Sequence, residues 1–116
     1  MRKTLAASLI FAAVSFGADP AREQKLQQAI DLMESKGDLA RATPLLEDVA
    51  RSKDPAVGAR GLLYLGQAQG RQGTERARAT YERIVREYGS QAATAAEARK
   101  RLAALGTARD AGTLAK

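Results

Sequence analysis

Residues 62–84 of the chain read LLYLGQAQGRQGTERARATYERI, and residues 26–49 read LQQAIDLMESKGDLARATPLLEDV. The two stretches share one pattern of large, small and branched residues around a central glycine, at an offset of 35 or 36 positions. A repeat of this length with a glycine at its middle is typical of paired antiparallel helices. The matched pairs are Leu26/Leu62, Gly37/Gly73, Ala42/Ala77, Leu46/Tyr81 and Val49/Ile84. Such a unit cannot bury its apolar face alone, so the sequence predicts an all-α stack of helical hairpins.

Apolar residues at helical spacing predict about five helices downstream of residue 18. Their expected ranges are 20–36, 39–52, 55–72, 75–88 and 91–105. Gly37 and Gly106 mark helix ends, and Asp38, Asp54 and Thr74 are expected to cap the helices that follow them. Gly66 should let a neighbouring helix approach closely, because it has no side chain.

The first 18 residues have the layout of a secretory signal peptide. A cationic start at residues 1–3 precedes the apolar run TLAASLIFAAVSF at residues 4–16, and small residues follow. The run of about 13 residues is shorter than the roughly 20 that a membrane-spanning helix needs. Cleavage after Gly17 is favoured over cleavage after Ala18, and a buried N-terminal helix is the alternative interpretation. The mature protein is expected to be exported, either periplasmic or secreted, with no membrane span left after cleavage.

This interpretation divides the chain into three parts. They are a signal peptide (1–18), a helical-repeat domain (19–106) and a flexible tail (107–116). Within the domain, the first repeat covers about 22–54, the second about 55–89, and a terminal helix 91–105.

The composition argues against catalysis. The chain has no cysteine and no histidine, which removes the usual thiol nucleophile, general base and metal ligands. No glycine loop of the phosphate-binding type is present. We therefore expect no enzyme activity, no cofactor and no metal site.

Charge is unevenly distributed along the chain. Residues 19–54 carry six Lys and Arg against eight Asp and Glu, a balance of −2, whereas residues 55–116 carry eleven against five, a balance of +6. The basic excess makes an acidic partner one alternative. Nucleic acid is not expected, because aromatic platforms are scarce and the arginines of the fourth helix alternate with glutamates.

The two units resemble tetratricopeptide repeats over about residues 22–105. The second unit carries the family's pattern at Leu62, Leu65, Gly66, Gly73, Ala77, Tyr81 and Ile84, and the first at Leu26, Gly37, Ala42, Leu46 and Val49. Two departures stand out: one residue fewer lies between Gly73 and Ala77, and Ile30 occupies a position that is usually small. The resemblance implies a short right-handed superhelix of stacked hairpins.

The resemblance also implies a function and a site. Such a superhelix would act as a non-catalytic adaptor that holds a protein or peptide on its concave face. Position by position, the candidate binding residues are Gln27, Asp31, Glu34, Leu63, Gln67 and Arg71. The alternatives are an ordinary solvated face at these positions, and a self-associating structural module or fragment of a larger secreted protein that pairs through residues 91–105.

Overall fold

The computed structural model describes residues 19–115, with side chains described for residues 19–106, and over this range the protein is all-α. The predicted signal peptide lies outside the described residues. The five helices are α1 (Pro20–Glu34), α2 (Leu39–Ala50), α3 (Pro55–Gly70), α4 (Thr74–Glu87) and α5 (Ala92–Ala115). The all-α prediction is confirmed, and each of the first four helices agrees with its expected range to within two residues at either end.

Aspartates cap the first three helices. The side chains of Asp19, Asp38 and Asp54 accept hydrogen bonds from backbone N–H groups in the first turns of α1, α2 and α3. These bonds satisfy donors that have no partner inside the helix. The predicted cap at Thr74 is wrong, because Thr74 is already the first residue of α4 and Gly73 holds the cap position without a side-chain bond. The turn before α4 is one residue shorter than the turn before α2, so α4 begins directly after its glycine.

Gly37 and Gly73 occupy equivalent places in the repeat but have different backbones. Gly37 adopts φ +63°, the left-handed conformation that glycine tolerates best, and the next amide, of Asp38, donates to the Leu32 carbonyl at 2.8 Å. Gly73 has an extended φ of 167°. The first turn therefore depends on glycine in a way that the second does not.

The helices stack in chain order. Each helix packs chiefly on its immediate neighbours, and in addition α3 touches α1 and α5 touches α3. The helix α5 therefore sits on the second hairpin as α3 sits on the first. The shared core consists mainly of alanine and branched aliphatic residues, and its largest fully buried members are Leu26, Leu46, Val49, Leu62 and Ile84.

Two glycines of α3 bring its neighbours into close contact. A Cβ atom on Gly66 would lie 2.5–3.0 Å from the ring of Tyr81 in α4, which confirms the predicted packing role. A Cβ atom on Gly61 would lie 2.6 Å from Cγ1 of Val49 and 3.0 Å from the backbone nitrogen of Ala50, both in α2. The shortest distances, 2.5 Å at Gly66 and 2.6 Å at Gly61, are below those of real Cβ contacts, so α3 packs on α4 and α2 at positions that leave no room for a side chain.

The first hairpin solves the same packing problem differently. Ile30 stands where the second hairpin has Gly66, and Leu46 stands where it has Tyr81. Leu46 is fully buried and Ile30 packs against the core. Two medium-sized side chains, Ile30 and Leu46, thus replace a glycine and a large aromatic ring. Exchanges that conserve total volume in this way are well tolerated in cores.

The last helix is longer than predicted. It does not end at Gly106 but continues to Ala115. Gly106 has no positive φ, and a glycine inside a helix costs only about 1 kcal/mol relative to alanine. The neighbouring alanines and leucines favour helix strongly enough to continue through it. The predicted flexibility of residues 107–116 stays a prediction.

An ionic cluster joins the open end of the first hairpin. The carboxylate of Asp48 in α2 accepts from Lys25 Nζ at 2.6 Å, Arg51 Nη2 at 3.1 Å and Arg22 Nη2 at 3.4 Å, and Arg22 Nε donates to the Asp48 carbonyl at 2.8 Å. The hydrogen bond from Lys25 and the charges of Arg22 and Lys25 lower the pKa of Asp48 to about 2. The cluster therefore stabilises the α1–α2 pair while Asp48 is ionised.

The substitution Asp48→Asn should reduce the amount of stability that the protein loses when the pH is lowered. The folded pKa lies below the ordinary value of 3.8, so the stabilisation is present above about pH 4 and disappears as pH falls towards 2. In thermal melts, the Tm difference between wild type and Asp48→Asn should be constant from about pH 7 to pH 5 and close to zero near pH 2. Asp31→Asn, on the exposed side of α1, is the control and should follow the wild type. A difference that persists unchanged to pH 2 would contradict the role of this cluster.

Gly66→Ala and Gly70→Ala should change stability in opposite directions. The first places a methyl group against the Tyr81 ring and should cost about 1–3 kcal/mol. The second meets only Ala77 Cβ at 3.8 Å, an ordinary contact, and should gain about 0.5 kcal/mol because alanine loses less backbone entropy in a helix. Urea unfolding followed by circular dichroism measures both changes. Equal effects would show that α3 and α4 are not in close contact.

Candidate functional site

A groove lies where α3, α4 and α5 meet. It has a volume of about 300 Å³ and is formed by residues from all three helices and the turn after α3. Its lining residues are Gln67, Gly70, Arg71, Ala77, Tyr81, Arg101, Ala104 and Leu105. The groove exists because α5 packs mainly on α4 and touches α3 only lightly, which leaves a gap between the ends of α3 and α5.

The inner side of the groove is apolar. Ala77 is fully buried, and Gly70 has only Ala77 Cβ near the place where its own side chain would be. Leu105 packs against the core from the side of α5. The buried Ala77, Gly70 without a side chain, and Leu105 leave room for an apolar side chain or the flat face of a peptide backbone.

Two arginines flank the groove. Arg71 is exposed, and its Nη1 donates to the Met33 carbonyl at 3.5 Å, which ties it to the end of α1. Arg101 lies on α5 with its Nε 3.0 Å from Glu97 Oε2. Both guanidinium groups are thus held near the groove by contacts that leave further N–H donors for a ligand.

Tyr81, which is almost fully buried, also lines this groove. Burial raises the pKa of the Tyr81 hydroxyl above its ordinary value of 10, and the nearby Arg101 partly offsets this rise. The hydroxyl therefore stays neutral at physiological pH and remains able to donate a hydrogen bond.

The predicted site residues do not all meet in this groove. Gln67 and Arg71 line it, whereas Leu63 is half-buried elsewhere on α3. Gln27, Asp31 and Glu34 are all exposed on α1. Asp31 lines a separate groove between α1 and α2, so it is turned towards the second helix of its own hairpin.

Tyr81 and Arg101 were missed as site residues by reasoning from the sequence. Tyr81 matches a core position of the repeat, and Arg101 lies away from the apolar stripe of α5. The available signal was the four-residue spacing of Arg101 and Leu105, which places an arginine and a leucine on one side of the helix.

A wider groove of about 590 Å³ separates α2 from α4 on another side of the stack. Leu62 and Leu65 of α3 lie at its bottom, and Arg51 and Arg83 stand at its edges. These arginines already pair within the protein, Arg51 with Asp48 at 3.1 Å and Arg83 with Glu87 at 3.0 Å. The smaller groove is the better candidate because Arg71, unlike Arg51 and Arg83, has a backbone carbonyl and not a carboxylate as its partner.

Comparison with family models, curated proteins and solved structures gives no significant match to this chain. The tetratricopeptide resemblance therefore stays a prediction carried by the repeat in the sequence. Across residues 19–115, none of the helices is both long and apolar enough to cross a membrane. The expected absence of enzyme activity, cofactors and metals also stays a prediction.

Proposed function

We propose that the protein is a tetratricopeptide-like adaptor that binds an extended segment of another protein in the groove between α3 and α5. The single observation that carries this proposal is the convergence of Arg71, Arg101 and Tyr81 around an apolar floor. Stacked helical hairpins offer surfaces for holding chains, and this groove provides both apolar contact and hydrogen-bond donors.

Charge favours an acidic segment as the bound chain. The two guanidinium groups can each donate two hydrogen bonds to a carboxylate, and such charge-assisted bonds are stronger than neutral ones. The excess of positive charge in residues 55–116 would also increase the rate at which an acidic chain arrives. Export to the periplasm or the medium, as the signal-like start predicts, is part of the same proposal.

Self-association through α5 has less support. With an offset of 33 residues, Ala95 and Ala98 take the places of Leu62 and Leu65, and Arg99 takes the place of Gly66. Gly66 is the position at which α3 admits the ring from the next helix, whereas Arg99 is exposed and carries a long charged side chain. A second copy could not add a helix there at the same close distance, so α5 has the character of a cap.

The double substitution Arg71→Ala/Arg101→Ala should abolish most binding of acidic peptides. The probe is an array of ten-residue peptides that are acidic, neutral or basic, incubated with the full chain. We expect the acidic set to bind best, and the double variant to lose about tenfold or more in affinity, since a charge-assisted hydrogen bond contributes about 1.5–3 kcal/mol.

The matched control is Arg76→Ala/Arg99→Ala, which removes the same charge from exposed positions outside the groove. This control should retain most of the binding. Equal losses in the two double variants would show that net charge alone, and not the groove, attracts the peptides. Absence of binding to any of the three peptide sets would contradict the proposed function.

A further inference from the structure

The two arginines that flank the α3–α5 groove have different partners. Arg71 Nη1 donates to the Met33 carbonyl at 3.5 Å, which is a neutral acceptor. Arg101 Nε instead lies 3.0 Å from Oε2 of Glu97, one turn earlier on α5. The ion pairs among the described residues do not include Arg71. The charge of Arg101 is therefore balanced by a neighbouring carboxylate, whereas the charge of Arg71 is not.

The helix α5 holds Glu97 and Arg101 side by side. They are four residues apart, the spacing at which side chains of a helix lie next to each other. Ala98, between them in the chain, is fully buried, and Leu102 packs against the core, so this part of α5 is fixed against the stack. The side chains of Glu97 and Arg101 are only 36% and 39% exposed, so salt screens this pair less than a pair on an open surface.

Tyr81 lies close to both of these charges. Burial raises the pKa of the Tyr81 hydroxyl, the charge of Arg101 lowers this pKa, and the charge of Glu97 raises it. Two opposite effects on one hydroxyl place both charges beside the groove. Glu97 is not among the residues that line the groove, so it acts on a ligand through Arg101 and not by direct contact.

Charge and size together restrict what the groove can hold. Arg71 contributes one positive charge, while the charges of Arg101 and Glu97 cancel, and none of the described residues that line the groove is acidic. The volume of about 300 Å³ is at the lower end of ligand pockets, which measure about 300–1,000 Å³. The groove therefore has room for a short segment and one uncompensated positive charge to attract it.

Arg101 is suited to a neutral acceptor. With its Nε beside Glu97, the N–H groups on its two terminal nitrogens are still able to donate. A carboxylate at this place would be attracted by Arg101 and repelled by Glu97, whereas a backbone carbonyl could accept the same hydrogen bonds with little repulsion. Gln67 and the Tyr81 hydroxyl, which also line the groove, are neutral hydrogen-bonding groups as well.

We propose that Glu97 limits the α3–α5 groove to a segment with a single acidic side chain. That side chain pairs with Arg71, and Arg101 donates to a neutral backbone carbonyl of the same segment. A second acidic residue then gains little, because it would have to displace Glu97 from Arg101. This inference rests on the proposed function and specifies which acidic segments the groove accepts.

A peptide scan that counts acidic residues tests the role of Glu97. One set of short, otherwise neutral peptides carries a single aspartate, and the other carries a second aspartate at each remaining position in turn. With the wild-type full chain, the second aspartate should improve affinity by less than about twofold at every position. With Glu97→Gln, which keeps the size of the side chain and removes its charge, the best second aspartate should improve affinity by about fivefold or more, because Arg101 is then able to form a charge-assisted bond.

Two further variants separate a local effect from net charge. Glu82→Gln removes the same charge from an exposed position of α4 outside the groove and should behave like the wild type. Adding Arg101→Ala to Glu97→Gln should abolish the gain from the second aspartate, because the two residues act as one coupled pair. Thermal melts of each variant show that the protein is folded in the assay.

The outcomes distinguish this inference from the function on which it rests. Equal effects of Glu97→Gln and Glu82→Gln on the gain from the second aspartate would overturn the role of Glu97. A wild-type chain that already prefers two aspartates by about fivefold would overturn it too, and would leave binding of acidic segments intact. Absence of binding of both peptide sets to every variant would contradict the proposed function together with this inference.

Discussion

The close approach of α3 to its two neighbours is the constraint on which the rest of the structure depends. Gly61 admits Val49 on one side, and Gly66 admits the ring of Tyr81 on the other. Alone, α3 would be a poor helix, since each of its glycines costs about 1 kcal/mol relative to alanine. Its helical state is therefore stabilised by burial between α2 and α4. Because α3 packs on α2 of the first hairpin and on α4 of its own hairpin, its position fixes how the two hairpins stack.

The architecture could be predicted from local and periodic features of the sequence. The 35–36 residue offset, the turn at Gly37 and the caps at Asp38 and Asp54 each depend on residues that are near one another in the chain. The role of Gly61 could not be predicted, because it depends on where Val49 lies in three dimensions. The predicted end of α5 before Gly106 was also wrong, since several favourable helix formers outweighed the single glycine at position 106.

The candidate groove could be predicted only in part. Gln67 and Arg71 follow from their positions in the repeat, because those positions recur on one face of the stack. The places of Tyr81 and Arg101 in the groove do not follow from the repeat. The apolar stripe of a helix distinguishes core positions from surface positions, but it does not indicate a gap where three helices meet. Tyr81 serves both roles, because its ring lies against Gly66 and the residue also lines the groove. The packing of α3 and the geometry of the site thus share one residue.

The two ends of the stack have different chemistry. At the downstream end, Arg99 replaces the close-contact glycine and gives α5 a solvated outer side. At the upstream end, a groove between α1 and α2 combines Leu32, Pro44 and Leu45 with the charged Asp31, Lys36 and Arg41. The binding proposal concerns the downstream end, where the groove between α3 and α5 lies.

Proton–proton contacts measured by NMR test the central packing claim most directly. The account predicts strong nuclear Overhauser effects from the α protons of Gly66 to the ring of Tyr81, and from those of Gly61 to the methyl groups of Val49. The Gly66 protons should also be shifted by the ring current of the tyrosine. Absence of both sets of contacts in a folded, helical sample would contradict the account, because α3 would then not lie against α2 and α4.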